Sequence, residues 1–168
     1  MTSNEPAVEV RQAIIDAAER GAQMAGGDQR YVNLTKVALQ TVGLELARHL
    51  QSGESASVCV PAEVAHDGRY DPGMVLLLDK RAVITWFEGT FRVKVRSLAF
   101  DLADISEAAT VTRDRGRLSP YRDAITFAAS GGRHEFVLPS KVAEGRLTFM
   151  VNGILSGAVT FGRDPDVG

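Results

Sequence analysis

Apolar residues recur with helical spacing over the first third of the chain and with strand spacing from residue 56 onward. Asn4, Glu5 and Pro6 supply a polar cap and a first-turn proline, whose missing N–H costs nothing there. Ala7, Val10, Ile14, Ala17 and Ala18 then make one stripe, with Glu9, Arg11, Asp16, Glu19 and Arg20 on the other face. Gly21, Gly26 and Gly27 mark the decay of this helix into a polar loop through Arg30. A second helix is predicted from about Asn33 to Gln51. Leu39, Val42, Leu46 and Leu50 form its main stripe, and Leu34, Val37 and Leu44 fall almost opposite. A helix apolar on two sides needs cover on two sides. The first helix can give one cover, and the sheet or a second subunit the other.

Val58, Val60, Val64 and Ala65 read as a strand bent at Pro61. His66-Asp67-Gly68 and Asp71-Pro72-Gly73 read as turns. Met74–Leu78 and Ala82–Phe87 are strands across the connection Asp79-Lys80-Arg81. Glu88-Gly89-Thr90 turns into Phe91–Val95, where apolar and basic residues alternate. That alternation directs Phe91, Val93 and Val95 inward, and Arg92, Lys94 and Arg96 outward. Further strands are expected at Leu98–Ile105, Thr110–Thr112, Ala124–Ala128 and His134–Leu138, the last two joined by the turn Ser130-Gly131-Gly132-Arg133. Pro139-Ser140 caps a final helix over Lys141–Ser156, with a short edge strand at Ala158–Phe161 and a loose tail over 163–168. Consecutive hairpins without intervening helices imply an α+β protein. The expected architecture is a curled antiparallel sheet or small barrel, two N-terminal helices and a C-terminal capping helix. Residues 1–55 form the helical segment and 56–162 the strand-rich domain.

Composition changes this picture little. The chain has 168 residues, 45% hydrophobic and 24% charged, with a formal net charge of −2, so no global field selects nucleic acid or an anionic membrane. The N-terminal residues carry no secretory signal. The longest uncharged stretch, Leu147–Gly162, is interrupted by Asn152, Gly153, Ser156 and Gly157, so no transmembrane segment is expected. The single cysteine, Cys59, reads as a buried, inert thiol, and a cytoplasmic location is expected.

The run Gly73–Ile84, an apolar strand returning through a turn that holds Asp79 and Arg81, resembles the second hairpin of bacterial pleckstrin-homology-like and GRAM-type domains. Leu98–Ile105, ending in an Asp-Ile step, is similar to that family's following segment. Ile125-Thr126-Phe127 through Gly131-Gly132 to Phe136-Val137-Leu138 matches its late hairpin. The resemblance spans Ala56 to Gly157 and leaves the two leading helices outside. It implies a binding or scaffolding module that often self-associates, with some members contacting lipid headgroups, and no enzyme activity.

Candidate chemistry is sparse. His49, His66 and His134 lack metal-ligand spacing, and no nucleophile elbow, phosphate loop or dinucleotide fingerprint is present, so no cofactor is expected. Asp101 and Asp104 read as turn residues rather than an acid–base pair. Trp86 reads as core or as an interface anchor. The basic positions are more distinctive. Arg92, Lys94 and Arg96 share one face, and Arg113, Arg115 and Arg117 repeat the spacing near Arg122. Between Lys80 and Arg122 nine Lys/Arg stand against five Asp/Glu. Such a field suits phosphates, an anionic headgroup or an acidic protein surface, although exposed strand positions are commonly charged for solubility. Stacking aromatics do not interleave with these arginines, so nucleic acid is not expected. Two roles follow: protein–protein contact including self-association, and peripheral binding of anionic lipid or a phosphorylated ligand through Arg92, Lys94, Arg96, Arg113, Arg115 and Arg117. A third, a small-molecule pocket enclosed by the curled sheet, requires a cavity inside it.

Overall fold

Two helices precede seven strands in a computed structural model that describes residues 5–24, 26, 29–51, 53–89, 91–112, 121–129 and 132–139. Helix α1 (Glu5–Met24) closes at Gly26, which adopts φ 73° and donates its N–H to Gln23 O at 3.0 Å. Helix α2 (Gln29–His49) begins four residues before the predicted start. Tyr31 is buried against the interior of the sheet, so tertiary packing draws this turn into the helix.

The strands are β1 (Ala56–His66), β2 (Arg69–Leu78), β3 (Arg81–Glu88), β4 (Lys94–Asp101), β5 (Glu107–Thr112), β6 (Tyr121–Ala129) and β7 (Gly132–Pro139). They form one antiparallel sheet in the order β4-β3-β2-β1-β7-β6-β5. The β1–β7 ladder holds only two Cα pairs, Glu63↔Val137 and Val64↔Phe136. The sheet curls, because Phe100 on β4 stacks on Phe127 on β6 with ring centroids 4.8 Å apart, although the sheet order separates those strands widely. This is the predicted curled antiparallel sheet with two N-terminal helices, open between β4 and β5. The interior expected to need a cavity for a small molecule is packed with side chains, among them Val60, Leu77, Ile84, Phe127 and Phe136.

Strand parity explains the long apolar runs. In β1, Val58, Val60, Ala62 and Val64 face the interior, whereas Cys59 faces the helices. In β2, Val75 and Leu77 face inward while Met74, Leu76 and Leu78 meet Ile14, Ala17, Val42 and Leu46. Strands covered on both faces lose the alternation of a half-exposed sheet. The helical layer sits close: a Cβ on Gly21 would stand 2.7 Å from Cys59 O, and Arg20 donates to Ser57 O at 2.7 Å and to Ala56 O at 2.6 Å.

Three expectations change. Asp71-Pro72-Gly73 is no turn but part of β2; Pro72 stands one residue before the β2–β3 pairing begins at Gly73↔Trp86, so its missing N–H interrupts no ladder on that side. The strand expected from Phe91 starts at Lys94. Beyond Asp101 the predicted strand becomes a 3₁₀ turn over Leu102–Asp104, anchored by Leu102 N–H on Lys80 O at 2.8 Å. The expected C-terminal helix, the edge strand Ala158–Phe161 and the tail lie outside the described residues.

Candidate functional site

The β3–β4 connection carries the most exposed apolar group of the described residues. Gly89 adopts φ 97°, and a Cβ there would lie 2.4 Å from Arg92 O, so backbone conformation and close approach both demand glycine. That tight turn uses residues 91–93 as loop. Phe91 is 100% exposed and Val93 54% exposed, which corrects the inward placement of both. The physical reason is where the core stops. Phe87 and Val95 pair across β3 and β4 and pack against the helical layer, and the ladder ends one pair later at Glu88↔Lys94. Alternation gives the parity but not the end of the cover.

Arg92 lies in the loop, and Lys94 and Arg96 are exposed on β4. Behind them Glu88 collects several partners. Trp86 Nε1 donates to Glu88 Oε1 at 3.1 Å; Arg96 Nε stands 3.8 Å from the same oxygen, and Arg69 Nη2 3.7 Å from Glu88 Oε2. His66 Nδ1 lies 3.6 Å from Glu88 Oε1 and its ring lies 5.2 Å from Trp86, while Nε2 bonds Asp71, which also accepts from Arg69 Nε at 3.0 Å. Trp86 is thus partly buried, packed against the interior and held by its N–H. Glu88 and Asp71 are engaged within this cluster. Among the described residues Arg92 and Lys94 form no ion pair. The result is an exposed aromatic tip beside two unneutralised cations.

Arg113, Arg115 and Arg117 lie outside the described residues. The strand ends that flank them, Thr112 and Tyr121, belong to the end of the antiparallel ladder that carries the β2–β3 turn. The β1–β2 turn and the β3–β4 loop occupy the opposite end. Sequence spacing alone holds no information on that separation.

The second helix presents another surface. Its buried stripe is Tyr31, Thr35, Ala38, Val42 and Leu46, with Leu39 and Leu50 partly buried. Leu34, Val37 and Leu44 stay exposed, as does Ile15 on α1. The sheet and α1 cover the same side of α2, leaving the second apolar stripe uncovered.

Other described polar groups tie elements together. Ser97 Oγ donates to Glu45 Oε1 at 3.0 Å and meets His49 Nε2 at 2.8 Å, pinning α2 to β4. A nucleophile relay would place the carboxylate on the other ring nitrogen; here the same Nε2 lies 3.6 Å from Glu45. His134 packs beside Phe127 with centroids 5.2 Å apart. Asp101 and Asp104 are exposed at the end of β4 and in the 3₁₀ turn. The described residues contain no group of three or more His, Cys, Asp or Glu able to hold a metal ion, and no helix among them is long and apolar enough to cross a membrane.

The chain is therefore an α+β protein with a curled, unclosed antiparallel sheet and an exposed basic–aromatic loop. No protein-family model matches it, and no curated protein matches it. Solved structures similar to it include the hSac2 domain of the human phosphoinositide phosphatase Sac2, at 9% identity over 71% of this chain and 79% of that one, with a TM-score of 0.48. The Vps36 N-terminal PH domain is similar at 14% identity over 64% of this chain and 83% of that one, TM-score 0.43. A Shewanella loihica protein with a pleckstrin-homology domain is similar at 15% identity, 72% and 93% coverage and TM-score 0.42.

Proposed function

We propose that this chain is a non-enzymatic binding module that docks on an anionic membrane surface through the β3–β4 loop. The observation that carries this reading is Phe91, fully exposed and followed by Arg92, Val93 and Lys94. An apolar tip enters the interfacial layer while neighbouring cations meet anionic headgroups. Glu88 and Asp71 do not oppose that field, because Trp86, His66, Arg69 and Arg96 already surround them. Arg96, exposed on β4, is taken up by Glu88, and Arg113, Arg115 and Arg117 join only if they reach the same surface. The reading carries with it a bacterial, GRAM-type module in the cytoplasm. Flotation on vesicles of phosphatidylcholine with and without phosphatidylglycerol tests it; indifference to the anionic lipid overturns it.

A second reading is favoured by Leu34, Val37 and Leu44, which lie exposed on one side of α2. We propose that this helical face makes protein–protein contacts, self-association among them, so that the module scaffolds as well as docks. Sedimentation of the purified chain at several concentrations tests self-association. A monomer throughout, together with a monomeric Val37→Glu/Leu44→Glu variant, counts against it.

A further inference from the structure

Between α1 and α2 lies an open cleft of about 490 Å³. Its walls are apolar, with Ile15 on α1 and Leu39 and Leu44 on α2, and Arg11 and Lys36 stand at its margins. Among the described residues no carboxylate lines it, and neither Arg11 nor Lys36 forms an ion pair. Gly43 lies on its floor. Glycine in a helix interior weakens the helix relative to alanine, so its presence there asks for a reason. Gly21 has one within the chain, since a Cβ would meet Cys59 O at 2.7 Å. Gly43 has none: a Cβ there meets only Leu39 Cδ2, at an ordinary 3.9 Å. What the missing side chain provides is an unobstructed floor between apolar walls.

We propose that this cleft seats one amphipathic helix of a partner protein, its apolar stripe over Gly43 and its acidic residues toward Arg11 and Lys36. This rests on the protein-contact reading above and names the partner's chemistry. A helix laid in an apolar groove buries its stripe at positions i, i+3, i+4 and i+7. The two free cations select the sign of the flanking charges. A second copy seated in this cleft by its own α2 would bring its Lys36 against Arg11 and Lys36, so self-association falls to the stripe Leu34 and Val37 outside the cleft. A bilayer is flat and does not enter a concave cleft, which separates this surface from the β3–β4 loop.

The test uses the full chain and two labelled synthetic helices in fluorescence anisotropy. One has leucine at i, i+3, i+4 and i+7 with glutamate elsewhere; the other has lysine in place of glutamate. The glutamate peptide binds the wild type, and Gly43→Leu weakens it about tenfold or more without lowering the melting temperature. Arg11→Glu combined with Lys36→Glu shifts preference to the lysine peptide. Equal binding of both peptides by the wild type overturns the proposal, as does no binding of the glutamate peptide or undiminished binding by Gly43→Leu. Sedimentation of the same proteins separates the two readings. Self-association that persists in Gly43→Leu while the peptide fails to bind wild type sinks the cleft proposal alone. Self-association abolished by Gly43→Leu makes a second copy the occupant, which also overturns it.

Discussion

Arg81 meets both carboxylate oxygens of Glu54, Nε to Oε1 at 2.9 Å and Nη2 to Oε2 at 2.8 Å, and the same Nη2 donates to His49 O at 2.7 Å. One guanidinium thus ties the C-terminus of α2, the segment leading into β1 and the first residue of β3. The Arg81 hydrogen bond holds the Glu54 carboxyl below its usual value of 4.5 against the opposing effect of burial, and the Gln51 N–H adds a further bond at 3.1 Å. A depressed folded-state pKa stabilises the fold fully above the unfolded value and is lost as pH falls through the folded one. Glu54→Gln is therefore expected to lose about 1–3 kcal/mol near neutral pH, with the difference shrinking below about pH 4. Urea unfolding of both proteins across that range checks it. A pH-independent difference contradicts the pair's role.

Three glycines should respond to alanine in a fixed order. At Gly73 the new Cβ would lie 1.8 Å from Thr85 O, at Gly21 2.7 Å from Cys59 O, and at Gly43 no nearer than the Leu39 side chain at 3.9 Å, its own helix backbone aside. Gly73→Ala is expected to cost about 4 kcal/mol or more, Gly21→Ala about 1–3 kcal/mol, and Gly43→Ala to stabilise by about 0.5–1 kcal/mol. Thermal melts of the three variants give the order directly.

The strand-rich centre was legible because its interior and helix-facing residues are both apolar, so Met74–Leu78 and Ala82–Phe87 read as strands without any knowledge of the helices. The reach of the core was not. Phe91, Val93 and Val95 share one parity, yet only Val95 has a neighbouring helix layer to pack against. Sequence alternation therefore found Lys94 and Arg96 exposed but misjudged the faces: they share the parity of Leu98 and Phe100, which pack into the sheet interior, whereas Val95 meets the helices and Phe91 lies in the open. A Gly89 needing positive φ was the available signal that strand pairing stops before Phe91. Pro72 misled in the opposite sense, since a proline at the limit of one ladder looks locally like a turn. The uncovered stripe Leu34, Val37 and Leu44 was visible on the helix, but which side α1 takes depends on tertiary contacts through Gly21 and Arg20.

Burial pushes the Cys59 thiol up to about 12, and its sulfur lies 4.0 Å from Met74 Sδ. With so little thiolate, the native protein is expected to resist a disulfide exchange reagent at pH 8. Reaction should follow global unfolding, so the modification rate in increasing urea tracks the unfolded fraction. Rapid native-state labelling contradicts the placement of β1 beneath α1.

The loop also makes a prediction about stability. Phe91 contacts no core, so Phe91→Ser is expected to leave the melting temperature within a degree or two, as exposed positions normally do. The same change should weaken attachment to anionic vesicles about tenfold, because the apolar transfer is lost. Stability and binding thus separate at one residue.

The most direct measurement is flotation of wild type, Phe91→Ser and Arg92→Glu/Lys94→Glu on phosphatidylcholine vesicles with and without phosphatidylglycerol, at low and high salt. Wild type should rise only with the anionic vesicles and less at high salt, Phe91→Ser should rise weakly, and the charge-reversed protein should stay below. Wild type left at the bottom of every gradient, or Phe91→Ser rising as well as wild type, contradicts the role assigned to this loop.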